Sequence, residues 1–197
     1  GFIGSHLTER LLAAGRRVRV LDDLSTGSEG NLAAAARGGR AELVRGSVTD
    51  PACVGRAVAG AEVVFHLAAF VHRVPRTADD ERALHAVNTE ATARVAAACR
   101  EAGAVLVFVS TVAVVGPAGG RRFGDDSPTA PVTLYAKSKW ESEEAIRQEG
   151  DRGLRFVILR FPLLYGPHGR GNMERLLKAI ARRRYWPVGD PTALKSC

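Results

Sequence analysis

Gly1-Phe2-Ile3-Gly4-Ser5-His6-Leu7 opens the chain and, together with Arg17-Val18-Arg19-Val20-Leu21-Asp22-Asp23 a little further on, decides how the fold is read. Apolar residues at helical spacing, Leu7, Leu11 and Leu12, follow the glycines, and Gly15 stops the run. Glycines that feed a helix bring backbone N–H groups and the positive helix end up to a phosphate, with no side chain in the way. The alternation from Arg17 to Leu21 predicts a strand that ends at Asp22-Asp23. An acid about 20 residues beyond such a turn is placed to accept hydrogen bonds from an adenosine ribose. Asp22 would repel a 2′-phosphate, which favours NAD over NADP, while Arg16 and Arg17 make that preference moderate.

Working outward, strand, turn and helix recur. Ala41-Glu42-Leu43-Val44 predicts a short strand before Gly46-Ser47-Val48. Glu62-Val63-Val64-Phe65-His66 predicts another, running into Leu67-Ala68-Ala69, whose small residues let a ligand lie against the backbone. A long helix is expected over about Asp80 to Ala102, with Asn88 among apolar neighbours; a kink or a buried polar residue explains Asn88 as well as a ligand does. Val105-Leu106-Val107-Phe108-Val109 is a continuous apolar run, as in a parallel strand buried on both faces, and it ends in Ser110 and Thr111. Ligands bind at the C-terminal ends of strands in open α/β sheets. Gly116 to Pro131 reads as a loop, Thr133 to Glu149 as a helix, Leu154 to Arg160 as a strand, and Gly171 to Arg184 as a basic amphipathic helix. Such alternation, without repeats, predicts an α/β fold, a doubly wound parallel sheet of Rossmann type.

The helix from Thr133 carries Tyr135 and Lys139. Residues i and i+4 share a helix face, so phenol and ammonium can occupy one site. Bringing a tyrosine from its ordinary ~10 to ~7 takes about 4 kcal/mol of differential stabilisation, which a neighbouring buried cation can supply. As an isolated pair, the two read more readily as ordinary exposed residues on an amphipathic helix.

The 197 residues, 46% of them hydrophobic, suit one α/β domain with a real core. Cys53, Cys99 and Cys197 show no C-x-x-C or zinc spacing and are odd in number, so no metal site and a reducing, cytoplasmic setting are expected. The longest apolar run, Ala91 to Val109, is broken by Arg94, Arg100 and Glu101, against a membrane span. The formal charge of +7 is scattered apart from Arg182-Arg183-Arg184, which speaks against nucleic acid and is compatible with a phosphorylated small substrate.

In order, these residues resemble the extended short-chain dehydrogenase/reductases, in the NAD-dependent epimerase/dehydratase branch that includes UDP-glucose 4-epimerases. Gly1-Phe2-Ile3-Gly4 is similar to the end of that family's T-G-x-x-G-F-I-G turn, and Asp22-Asp23-Leu24-Ser25 to its D-N-L-S. His66-Leu67-Ala68-Ala69 resembles its H-x-A-A, Asn88 its N-V-x-G-T asparagine, Ser110-Thr111 its S-S/T pair, and Tyr135 with Lys139 its Y-x-x-x-K. The resemblance implies NAD as cofactor, held by Gly1, Phe2, Ile3, Gly4, Asp22, Asp23, Ser25, Ser47, Val48, Leu67, Ala68, Ala69, Asn88, Ser110, Tyr135, Lys139, Phe161 and Pro162. It implies that Thr111 hydrogen-bonds the reacting sugar oxygen, that Tyr135 moves the hydroxyl proton, and that Lys139 binds the nicotinamide ribose while lowering the tyrosine pKa. Asn172 matches an asparagine that touches substrate phosphates, though a helix cap explains it equally. A homodimeric parent is also implied.

Departures bear on the substrate. Ser47 stands where the family often has aspartate, Val115 where it has the tyrosine of V-Y-G, and Phe161-Pro162-Leu163 where UDP-galactose epimerases have Tyr-Phe-Asn. Phe161-Pro162 with Tyr165-Gly166-Pro167 is more similar to the polysaccharide-related branch, including lipid-linked sugar epimerases. A nucleotide-sugar or lipid-linked sugar 4-epimerase is therefore expected. A dehydratase normally wants a carboxylate pair beside the hydroxyl residue, and Val112-Ala113 supplies none. A reductase or hydroxysteroid-type dehydrogenase of the same superfamily is the alternative, and a non-catalytic NAD sensor a third, against which Thr111, Tyr135 and Lys139 count together.

The family's first strand would precede Gly1 and its substrate-capping segment would follow Cys197, so residues 1–197 are expected to be an NAD-binding fragment, with 161–197 leading into the substrate region. That strand is central in the 3-2-1-4-5-6 order. Unpaired buried backbone groups cost about 1–3 kcal/mol each, against a domain stability of about 5–15 kcal/mol. Residues 1–197 alone are therefore expected not to form a stable NAD-binding domain. A cooperative thermal transition that NAD moves upward would refute this.

Overall fold

The computed structural model describes residues 1–31, 39–71, 75–117, 122–166 and 172–184. Helix α1 (Phe2–Ala13) leads to strand β1 (Val18–Asp22). Then come β2 (Ala41–Arg45), α2 (Pro51–Val58) and β3 (Val63–His66). Next are α3 (Ala78–His85), a π turn (Ala86–Glu90) and α4 (Ala91–Ala102), followed by β4 (Val105–Thr111) and a 3-10 turn (Val112–Val115). Helix α5 (Leu134–Asp151), β5 (Phe156–Phe161) and α6 (Asn172–Ala181) complete the described elements.

Local chemistry sets the boundaries. Asp50 caps α2 by accepting from the Ala52 N–H at 2.9 Å, with Pro51 in the first helical position, where its missing N–H costs nothing. Thr77 caps α3 and Thr133 caps α5 in the same way, each through its hydroxyl oxygen. Gly103, at φ 69°, adopts the left-handed conformation that ends α4.

All strand pairs are parallel. β4 lies between β3 and β5, with Val64 opposite Leu106, Ser110 opposite Arg160 and Thr111 opposite Phe161. β1 pairs with β2, so that Asp22 stands opposite Arg45. The parallel α/β fold of Rossmann type expected from the sequence is present; among the described residues its strands form a pair and a triplet, with no strand joining β1 to β3. Helix α2 spans the two, packing on β1 and β2 and also on α4. Its Val54 and Val58 share one buried cluster with Leu106 and Phe108 of β4 and Ile146 of α5, and Leu21 of β1 packs against that cluster.

The β4 strand runs two residues beyond its apolar stretch and takes in Ser110 and Thr111, because β5 continues beside it to Phe161. The helix expected from Asp80 to Ala102 is present but carries the π turn at Asn88. Helix α6 leaves Leu176, Leu177 and Ile180 exposed. Cys197 and Pro167 lie outside the described residues, as does the side chain of Asn172. No helix among the described residues is long and apolar enough to cross a membrane.

Gly46 shows how tightly α2 is seated. A Cβ there would fall 2.3 Å from Cys53 Sγ, so the strand-to-helix turn admits no side chain. Gly46→Ala in the full-length protein is expected to cost about 1–3 kcal/mol by overpacking, seen as a lower urea midpoint. Adding Cys53→Ala should restore most of the loss; an unchanged midpoint in the single variant would contradict the contact.

Candidate active site

The glycine turn is the meeting point of three loops. Gly1, Gly4 and Ser5 line a small pocket with Val20, Asp22, Leu24 and Ser28. A Cβ on Gly4 would lie 3.5 Å from Leu67 in the loop after β3, and one on Gly166, after β5, 3.6 Å from the Phe2 ring. The N-terminus of α1 therefore faces the C-terminal ends of β1, β3 and β5, where an open α/β sheet takes its ligand. Asp22 Oδ1 accepts from the Leu24 N–H at 2.8 Å and Oδ2 lies 3.7 Å from the Gly1 nitrogen. Leu24 holds a left-handed φ of 59°, which turns the chain sharply after the acid. Asp23 accepts from the backbone and hydroxyl of Ser25, and the Ser47 hydroxyl closes a turn on Thr49. Asp23, Ser25 and Ser47 thus shape the loops after β1 and β2. Val48 is half-buried beside them.

Beyond Leu67, Ala68 and Ala69, Asn88 fixes the loop. Its side-chain oxygen accepts from the Phe70 N–H at 2.7 Å, and its amide nitrogen donates to Ser138 Oγ at 3.0 Å and to the Phe70 carbonyl at 3.4 Å. The Asn88 carbonyl, within the π turn, accepts from Thr92 Oγ1 at 2.5 Å and Ser142 Oγ at 2.7 Å. His66 Nε2 sits 2.9 Å from Thr92 Oγ1. Asn88 is therefore a buried clamp between the loop after β3 and helix α5, and its amide is spent on the protein.

Tyr135 and Lys139 begin the buried face of α5, which packs on β4 and on the turn after it. Thr111 Oγ1 accepts from the Ala113 N–H at 3.2 Å, which leaves its O–H free to donate. Ser110 points the other way, as strand alternation requires, and its hydroxyl donates to Glu143 at 2.6 Å in the core. Expected as a cofactor contact, Ser110 has only its backbone left for that role. Phe161 is half-buried opposite Thr111, and Pro162 beyond it is exposed.

Lys139 is 3% exposed, with Nζ 4.0 Å above the centroid of the Phe108 ring. The ring of His66 stacks on Phe108, at 5.7 Å between centroids. Burial pulls the Lys139 ammonium down from its ordinary 10.5 to about 7, with Glu143 opposing. Burial, assisted by Lys139, takes His66 down to about 3, so that imidazole is neutral. A tyrosine lowered by its lysine was expected. Instead burial raises the Tyr135 phenol above its ordinary 10, and desolvation is the cause.

Sequence reasoning did not single out Thr92, Ser138, Ser142, Glu143 or Arg160. Ser138, Ser142 and Glu143 all lie on the face of α5 that carries Lys139, and their helical spacing from Tyr135 and Lys139 was the available signal. Among the described residues no cluster could hold a metal ion.

A glycine turn against an acid-ended strand, with a hydroxyl at the end of β4 and a tyrosine and a buried lysine on the helix packed beside it, marks a nucleotide-binding fold of Rossmann type. The chain belongs to the NAD dependent epimerase/dehydratase family, whose model matches residues 1–187. It is 39% identical over 146 residues to the UDP-glucose 4-epimerase of Mycolicibacterium smegmatis, covering 73% of this chain and 46% of that one. It is 34% identical over 160 residues to an N-acetyl-alpha-D-glucosaminyl-diphospho-ditrans,octacis-undecaprenol 4-epimerase of Escherichia coli O157:H7, covering 77% and 46%. The crystal structure of a dTDP-glucose 4,6-dehydratase from Streptomyces venezuelae with NAD bound superposes with a TM-score of 0.81 at 29% identity, over 93% of this chain and 60% of that one. The chain thus spans about half the length of the curated relatives named here.

The buried lysine gives a pH signature. Below pH about 7, folded and unfolded chains both carry the Lys139 proton, and the burial cost is felt in full. Between about 7 and 10.5 only the unfolded chain binds it, so stability rises with pH. In the full-length protein Lys139→Met is expected to be more stable than wild type near pH 6, with the gap closing towards pH 10. Urea melts across that range test it, and a difference independent of pH would contradict it.

Proposed function

We propose that the full-length protein is an NAD-dependent sugar 4-epimerase acting on a nucleotide sugar or a lipid-linked sugar diphosphate through a transient 4-keto sugar. The observation that carries this reading is Lys139 buried on the same helix face as Tyr135, beside the strand end that presents Thr111. The residues present suit NAD. The α1 N-terminus with Gly1 to Gly4 would take the pyrophosphate, Asp22 the adenosine ribose, and the Leu67-Ala68-Ala69 backbone the middle of the cofactor. Phe2, Ile3, Phe161 and Pro162 would border it, and the ammonium of Lys139 would meet the nicotinamide ribose. Once bound, NAD supplies a hydride acceptor that can return what it takes.

The chain's own residues would handle the proton. A carbinol carbon gives up hydride only as its hydroxyl loses a proton, so Tyr135 would accept that proton and later return it. Burial raises its pKa, so the phenolate must be stabilised at the moment of reaction. Lys139 can do so by leaving the Phe108 ring for the ribose and phenol side. The free O–H of Thr111 would donate to the reacting oxygen and fix its position. Asn172 would reach the diphosphate of the substrate.

The lack of carboxylates at Val112-Ala113 favours epimerisation over dehydration, which needs an acid and a base to expel water. Phe161-Pro162, together with the lipid-linked relative, supports a polysaccharide precursor as substrate. Incubating the full-length protein with UDP-glucose and UDP-N-acetylglucosamine should give the 4-epimer without net NADH. Stoichiometric consumption of reduced cofactor would point to the reductase instead. Tyr135→Phe is expected to lower kcat by about 10²–10⁴-fold while NAD binding persists; full activity in that variant would overturn the assignment.

A further inference from the structure

Glu143 is a charged group in the core that the reaction itself does not use. It is fully buried, one helical turn past Lys139 and two past Tyr135, on the same face of α5. Its carboxylate takes Ser110 Oγ at 2.6 Å, Arg160 Nη2 at 2.7 Å and Nε at 3.1 Å, and the Arg147 guanidinium at 3.3 Å. Ser110 and Arg160 stand opposite each other in the β4–β5 register, and each is followed directly by a site residue, Thr111 and Phe161. One carboxylate therefore ties the last turns of two strands to the catalytic helix.

Such an ion pair is a poor way to gain stability, since apolar residues of similar volume often do as well or better. Its place directly beneath the site suggests a task of another kind. We propose that Glu143 is a positioning residue: through Ser110 and Arg160 it sets the height of Thr111 against Tyr135, and its negative charge keeps the buried Lys139 ammonium protonated. The proposal rests on the enzymatic reading above only for the part that concerns Thr111.

The surrounding charges define what Glu143 must balance. Arg160 reaches it from β5 and Arg147 from its own helix, where Glu144 pairs with Arg147 at 2.9 Å, and Asp125 also acts on Arg160. Across the Phe108 ring His66 is neutral and offers Lys139 no charge. Burial alone would push the Glu143 carboxyl up, but Arg160, Ser110 and Arg147 outweigh burial and hold it below the ordinary carboxylate range. It is thus ionised wherever the enzyme works. Without it, Arg160 and Arg147 would face the lysine uncompensated.

The test is a titration of Lys139 in the cofactor-free full-length protein by NMR of 13C-labelled lysine, with the signal assigned through Lys139→Arg. Glu143→Gln should lower the Lys139 midpoint by about one pH unit or more, a tenfold loss of proton affinity. Glu143→Gln combined with Arg160→Gln removes both charges and should bring the midpoint back towards wild type. A midpoint that stays put in Glu143→Gln, with only the melting temperature lowered, would reduce Glu143 to a structural role and overturn the proposal. Should Glu143→Gln fail to fold, Glu143→Asp keeps the charge and shortens the strut. It should leave the midpoint in place and lower kcat several-fold at constant KM, and an unchanged kcat would sink the positioning claim. The titration needs no substrate, so a wild type inactive on every sugar would defeat the functional reading and leave the charge claim to stand on the midpoint.

Discussion

The amide of Asn88 joins three parts of the chain that are far apart in sequence. It binds the loop after β3 through Phe70 and helix α5 through Ser138, next to Lys139. Asn88 lies in the π turn, and its carbonyl accepts from Thr92 and Ser142 while its side chain binds elsewhere. Thr92 in turn satisfies the buried His66. Without the amide the Phe70 N–H and Ser138 Oγ would each lose one hydrogen bond, while the Ser138 hydroxyl keeps its own to the Tyr135 carbonyl. The placing of α5, and with it Tyr135 and Lys139, follows from this clamp.

Around the clamp the core carries unusual charge. Lys139 lies on an aromatic ring with little water, and a cation there is held by the ring quadrupole and by Glu143 rather than by a direct carboxylate contact. This arrangement makes the lysine mobile in chemical terms. It is buried enough to lose its proton near neutral pH and close enough to an acid to keep it. A buried titratable group with a charge partner of this kind marks a candidate functional site.

Much of the fold was legible because its signals are local. Apolar runs, caps such as Thr133, and glycines at turns act within a few residues, and the strands at 18–22, 41–45, 63–66, 105–111 and 156–161 lie where the pattern placed them, within about two residues at each end. The π turn was not legible. No spacing rule announces it, and a kink was only one of the readings open for Asn88. Ser110 was assigned to the cofactor through the resemblance of Ser110-Thr111 to the family's S-S/T pair, whereas strand alternation sends its hydroxyl to the opposite face.

The sequence by itself determined the order of the elements, the glycine turn before Asp22, and the presence of Tyr135 and Lys139 on one helix face. Those properties depend on residue type and spacing alone. Only the tertiary structure decided the surroundings of the lysine: the Phe108 ring beneath it, the neutral His66 behind that ring, and the Glu143–Arg160–Ser110 network one turn along. These residues come from β3, β4, β5 and α5, and each affects the ammonium through distance and lost solvent. Neither quantity exists until the strands are paired and the helix is seated upon them.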